Sequence, residues 1–186
     1  LNPSAVVRDG KVYMIYRAQD NRMTSRLGIA ISEDGLHFKK HPEPVLYPDN
    51  DSMQQYEWKG GIEDPRIVVS EDGTYIMTYT SYDGKVARLC LASSMDLYKW
   101  TKHGLVLDEE EYRSTWSKSG AIVARLEGNN IVAARINGRS ISLSSIPRMR
   151  PIRTRSSTTR LQPARLTPRA GFLNSQKAMR LPGGRA

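Results

Sequence analysis

An all-β fold made of repeated sheets is predicted by three features of this 186-residue sequence. Asp-Gly stands between two β-rich runs in VVRDGKVYMIYR (6–17) and again in IVVSEDGTYIMTYT (67–80). That placement is a strong short-range hairpin signal. The second stretch copies the first about sixty residues later, and no segment carries a competing 3.6-residue apolar period.

The elements follow in order. Each hairpin leads into a third run, RLGIAIS from Arg26 and RLCLASS from Arg88. A turn and a short aromatic segment come next, DGLHFKKH (34–41) and DLYKWTKH (96–103). Gly10 aligns with Gly73, Tyr16 with Tyr79, Arg26-Leu27 with Arg88-Leu89, Phe38 with Trp100, and Lys40-His41 with Lys102-His103; the offset is 63 residues early and 62 later. A period near sixty with about four short strands suits a β-propeller blade with long connections. A β-sandwich is the alternative, but it needs no internal copies. The blades are placed at about 2–62 and 63–125, and a third opens at 126–138, where IVAARING sets Gly138 65 residues after Gly73.

Charge divides the chain at the same place. Of the 28 basic and 19 acidic residues, 11 basic and no acidic ones follow Gly138, so the first 138 residues carry a net −2 and the whole chain +9. Thirteen of the 14 aromatic residues also precede Arg139. Residues 139–186 read as a disordered basic low-complexity tail. A sharper expectation is a lost reading frame: codons permitted for 139–159, read one nucleotide upstream, can spell KVYLSF after Ile136-Asn137-Gly138, which parallels KVYMIY after Gly10. Such a tail binds phosphate backbones non-specifically and with strong salt dependence. It lacks the interleaved aromatics that stack bases, so no specific nucleic-acid partner is expected.

Other classes are excluded by composition. No apolar run approaches the ~18 residues of a membrane-spanning helix. A single cysteine, Cys90, rules out an internal disulfide and any Cys-based metal cluster. His37 and His41 lie four apart, on a strand-to-loop segment and without a third ligand, so no metal is expected. The start, LNPSAVV, has no basic and apolar leader pattern. Localisation is therefore read as cytoplasmic or unassigned, with Leu1 suggesting a start inside a longer chain.

The densest polar cluster is Trp58-Lys59-Gly60-Gly61-Ile62-Glu63-Asp64-Pro65-Arg66. Pro65 is expected to hold Asp64 extended. Neighbours on a strand point to opposite faces, so Glu63 and Asp64 do not share a proton; one faces a cavity and the other anchors locally, with Arg66 as a partner. Tyr56, Trp58 and Trp116 offer ring faces for sugars or for packing between blades.

NPSAVV, IYRAQD, SRLGIAISEDG, GGIEDPRI, TSYDG and KSGAIV together resemble glycoside hydrolase family 130, the mannoside phosphorylases and β-mannosidases on a five-bladed β-propeller. The resemblance covers residues 1 to about 138, a little over two blades, so the chain is expected to be an incomplete, inactive fragment that leaves a blade face and strand edges open. It implies inverting cleavage of β-mannosidic linkages in oligosaccharides, by phosphorolysis or hydrolysis. Asp64 is then the general acid, acting through a substrate hydroxyl. Asn2, Ser4 and Arg17 hold the mannosyl unit, with Glu63 and Arg66 beside them. Lys118, and less firmly Arg88, are the phosphate candidates. Inorganic phosphate is the co-substrate of a phosphorylase, and no other cofactor is implied. Arg26 and Arg88 share one position of the repeat, which favours a structural role for both. General acid catalysis needs a carboxyl protonated at working pH, so Arg66 is expected to pair away from Asp64. A non-catalytic carbohydrate-binding propeller fragment is the competing class, followed by a basic-tail nucleic-acid binder.

Overall fold

The computed structural model describes residues 2–128, 130–136, 139–145 and 178–179. Strands β1 (Ser4–Arg8), β2 (Lys11–Gln19), β3 (Ser25–Ser32) and β4 (Lys39–Lys40) pair antiparallel in chain order. After a linker with a one-turn helix α1 (Gln54–Glu57), strands β5 (Gly61–Val69), β6 (Tyr75–Tyr82), β7 (Ala87–Ser94) and β8 (Thr101–Leu105) repeat that meander. The two Asp-Gly signals solve the same problem differently. Asp9 and Gly10 both have positive φ, 50° and 73°, the two-residue turn that matches strand twist. Asp72-Gly73 sits in a wider turn closed by Ser70 N–H on Thr74 O at 2.7 Å, with Asp72 accepting from Thr74 N–H.

Two loop devices recur at the repeat offset. Asp20 accepts the Arg22 and Thr24 amides and pairs with Arg26 at 2.8 Å. Asp83 accepts the Lys85 and Val86 amides and pairs with Arg88 at 2.7 Å. Further along, Asp34 takes the Leu36 and His37 amides while Ser32 takes Gly35, and Asp96 with Ser94 does the same for Tyr98, Lys99 and Leu97.

The second sheet is buried on both faces, which explains the near-continuous burial of YIMTYTS in β6. One face carries Met77, Tyr79, Cys90 and Ala92 against Ile15, Leu27 and Ile29 of the first sheet. The other carries Val68, Ile76, Leu89 and Leu91 against Ile122 and Ala133. The two sheets touch edge to edge only where Ser25 of β3 meets Gly61 of β5 in parallel. Gly61 has φ +101°, and a Cβ there would collide with the Ser25 backbone.

A second one-turn helix, α2 (Glu110–Arg113), leads into β9 (Lys118–Ile122) and β10 (Ala124–Glu127), so the third unit's strands begin upstream of residue 126. They pair unlike the first two units. β10 forms a hairpin with β11 (Asn130–Ala133), and β12 (Arg135–Ile136) pairs with β13 (Arg139–Ser145), which also lies along β9 and β14 (Ala178–Met179). Residues 139–145, assigned from sequence to a disordered tail, are thus a strand. Ile141 and Leu143 alternate with serines there, a period-2 signal concealed by the arginine-rich composition around it. Apart from β13 and β14, the tail lies outside the described residues, and so does the lost-frame expectation from residue 146 on.

Candidate active site

Three similar stretches run into or along the first strands of the successive units: Asn2-Pro3-Ser4-Ala5-Val6-Val7, Asp64-Pro65-Arg66-Ile67-Val68-Val69 and Lys118-Ser119-Gly120-Ala121-Ile122-Val123. Their leading residues occupy one position of the repeat, and the structure brings them together. Asn2 Nδ2 donates to Asp64 Oδ1 at 2.8 Å, and Lys118 Nζ lies 3.9 Å from Asp64 Oδ2. Equivalent strand starts meet in this way when sheets are set round a central channel.

Asp64 is buried at 7% exposure. It is not extended as Pro65 led us to expect: its φ is +50°. The cause is a bulge. Glu63 pairs with Thr80 and Arg66 with Thr78, so β5 carries one residue more than β6. A bulge of this kind re-aims a side chain, and aspartate tolerates the left-handed region better than most residues.

Glu63 has a separate set of partners. Its Oε1 lies 2.9 Å from the Arg17 guanidinium and 3.4 Å from Ser25 Oγ. The Arg17 Nε donates to Ser25 Oγ at 2.9 Å. The two adjacent carboxylates therefore hold different groups, the bulge having turned Asp64 away from Glu63. Arg66 anchors neither carboxylate: its NH1 donates to the Pro65 carbonyl at 2.9 Å, away from Asp64 as expected, and Lys118 is the cation beside Asp64 among the described residues.

The remaining predicted residues spread out. Ser4 Oγ accepts the Ile67 amide at 3.1 Å and ties β1 to β5. Arg88, a phosphate candidate, is held by Asp83 and by the Val86 and Arg113 carbonyls, and stacks on Tyr56 with 5.2 Å to the ring centroid. These partners use the guanidinium as a structural clamp and occupy Tyr56 as packing. Trp58 and Trp116 remain about half exposed, Trp116 beside Tyr82 at 6.1 Å.

Two groups escaped the sequence reading. Ser25, fully buried, is the hydroxyl between Arg17 and Glu63. Glu57, also fully buried, accepts from Lys102 Nζ at 2.6 Å and from Tyr79 Oη at 3.1 Å. Burial pushes Glu57 up to about 7 although both donors pull it down. Burial pulls Lys102 down, but Glu57 and Asp51 hold it above its ordinary value. This cluster fastens the linker that delivers Gly60-Gly61 and, three residues on, Asp64.

Repeated antiparallel sheets whose first strands meet at a buried carboxylate define a β-propeller with a polar centre. The chain belongs to glycoside hydrolase family 130, whose model, described as beta-1,4-mannooligosaccharide phosphorylase, matches residues 1–147. A 1,2-beta-oligomannan phosphorylase of Thermoanaerobacter sp. (strain X514) is 39% identical over 118 residues, 58% of this chain and 38% of that protein. A crystal structure of a glycosyl hydrolase from Bacteroides ovatus is 41% identical with a TM-score of 0.71, covering 76% of this chain and 42% of the other. The beta-1,2-mannobiose phosphorylase of Listeria innocua, 18% identical with a TM-score of 0.57 over 82% of this chain and 52% of its own, shares the fold. The chain spans about two fifths of the length of the first two of these relatives.

Proposed function

We propose that this chain carries part of a site for inverting cleavage of β-mannosidic linkages, with Asp64 as the general acid. The observation that carries the reading is the meeting of Asn2, Asp64 and Lys118 at equivalent positions of three strand starts. Asp64 gives its proton, through a sugar hydroxyl, to the glycosidic oxygen as the C1–O bond breaks. An oxygen nucleophile attacks C1 from the opposite face of the ring, so that configuration inverts. Arg17 and Glu63 form a donor–acceptor pair of cancelling charge, suited to the hydroxyls of a neutral mannosyl unit.

Phosphate as the nucleophile is favoured by the phosphorylase names of the family model and the Thermoanaerobacter relative. Those names differ in linkage, β-1,4 against β-1,2, so both belong in the test. The chain is offered β-1,2- and β-1,4-mannobiose with and without inorganic phosphate. Mannose 1-phosphate marks phosphorolysis, free mannose marks hydrolysis, and mannoside binding without product marks a binding module. Turnover that survives Asp64→Asn removes Asp64 from the acid role.

A further inference from the structure

We infer that Ser25 is a positioning residue: its hydroxyl sets the Arg17–Glu63 pair for the sugar and is not needed by the sheet that contains it. The inference rests on the sugar-binding reading above for its consequence, but not for its geometry.

The Ser25 hydroxyl is fully used. It accepts from Arg17 Nε at 2.9 Å and from Gln19 Nε2 at 3.3 Å, and its own proton points to Glu63 Oε1 at 3.4 Å. One donor and two acceptor sites are all a serine hydroxyl has. With Nε on Ser25 and NH2 on Glu63, the guanidinium plane is held along one edge. The opposite edge is directed away from the pair.

The second sheet supplies an internal control. Ser25-Arg26-Leu27 corresponds to Ala87-Arg88-Leu89, and Arg17 corresponds to Thr80. Both third strands start at the same place in the architecture. Ser25 N–H donates to Gly60 O at 2.9 Å in the linker that follows its sheet. Ala87 O accepts Ser117 N–H at 2.9 Å in the linker that follows the other. Both residues are buried, at 0% and 3% exposure. The blade junction therefore forms with alanine at this position. Serine and arginine occur together in the first sheet and are both replaced in the second, so the hydroxyl belongs to the arginine rather than to the fold.

The test uses the whole chain and Ser25→Ala, the residue the second sheet already has. Thermal unfolding is expected to stay within a few degrees. The Arg17 Nε–H resonance, assigned with Arg17→Lys, is expected to be sharp and exchange-protected in the parent and to broaden or exchange at least tenfold faster in Ser25→Ala. An unchanged Arg17 signal overturns the inference whether or not the chain binds sugar. Where the parent binds β-mannobiose, the variant's Kd should rise about tenfold, the effect of one lost hydrogen bond to a charged group. Equal affinity overturns the inference. If the parent binds no mannoside, the sugar-binding reading fails while the Arg17 signal still decides the role of Ser25. Should Ser25→Ala not fold, the claim that the sheet does without the hydroxyl is wrong.

Discussion

The first and second sheets share a loop framework and differ at the centre. Asp20 with Arg26 and Asp83 with Arg88 make the same loop, and Ser32-Asp34 and Ser94-Asp96 make the same turn. At the start of the first strand, however, one sheet has Asn2 and the other Asp64. On the second and third strands one has Arg17 and Ser25 where the other has Thr80 and Ala87. Residues that repeat build the sheets, and residues that break the repeat assemble the candidate site. Each experiment below makes the two sheets more alike, or shows where they cannot be.

Asp64→Asn has the largest expected effect, since it gives the second sheet the residue the first already carries. Asparagine can accept from Asn2 but has no proton to give a leaving oxygen. Where the parent chain turns over β-mannobiose, the rate should fall by about 10²–10⁴-fold, the usual contribution of a positioned acid, with unfolding temperature unchanged, as product release and thermal melts will read. A comparable rate in the variant puts the acid elsewhere.

Lys102→Met probes a network that only the second sheet has, because its repeat partner, Lys40, is exposed on a two-residue strand. Removing the cation leaves Glu57 buried with Tyr79 alone, which costs about 3–5 kcal/mol where Glu57 is charged. Native Glu57 holds its proton up to about 7, against an ordinary value of 4.5. Between those values the folded state binds more protons than the unfolded one, so this group's contribution to stability falls as pH rises. Urea unfolding should show a larger loss in Lys102→Met at pH 8 than at pH 5, by up to about 1.4 kcal/mol, the worth of one pH unit above the native value. Equal losses at both would mean that Glu57 is not the group left behind.

Much of the framework was legible in sequence because it is local or repeated. Asp9-Gly10 needed only its own φ preferences to announce a hairpin, and Arg26 with Arg88 announced a structural role by recurring. The site residues carry no such signal. Asp64 lies within a bulge that depends on the pairing of its neighbours with Thr78 and Thr80, so Pro65 alone pointed to the wrong backbone. Ser25 and Glu63 are 38 residues apart, and Glu57 and Lys102 are 45 apart. A glutamate in the polar run Gln54-Gln55-Tyr56-Glu57 looks solvated until the linker is folded against β6 and β8. The strand in residues 139–145 was missed for another reason, the composition of the whole segment outweighing a short alternation within it.

Gly61→Ala comes next. The new methyl would meet the Ser25 backbone at the one edge contact between the two sheets, and φ +101° adds strain. A loss of about 2–4 kcal/mol is expected from the two causes together. Gly10→Ala, also at positive φ but with open space around it, should lose only about 1 kcal/mol. Denaturant midpoints for the two variants separate collision from strain, and equal losses would mean that the contact gives way.

The smallest effect tests the part the sheets share. Asp83→Asn and Asp20→Asn each keep an oxygen for the two loop amides and remove the charge facing the arginine. Burial pushes Asp83 up, but the Val86 amide and Arg88 outweigh it and hold it below its ordinary value. The Thr24 amide is the main cause of the same downward shift at Asp20. The arginines differ in their surroundings: the Arg88 side chain is 11% exposed and Arg26 40%. A buried guanidinium left without its carboxylate loses more than one that water can reach. Asp83→Asn should therefore lower stability by about 1–2 kcal/mol, and Asp20→Asn should lower the melting temperature by less. A carboxylate with a depressed native pKa contributes its stability above the unfolded value, here 3.8, and loses it as pH falls below. Both variants should thus draw closer to the parent as pH falls below 3.8. A larger loss for Asp20→Asn at neutral pH would mean that burial of the arginine does not set the strength of this repeated loop.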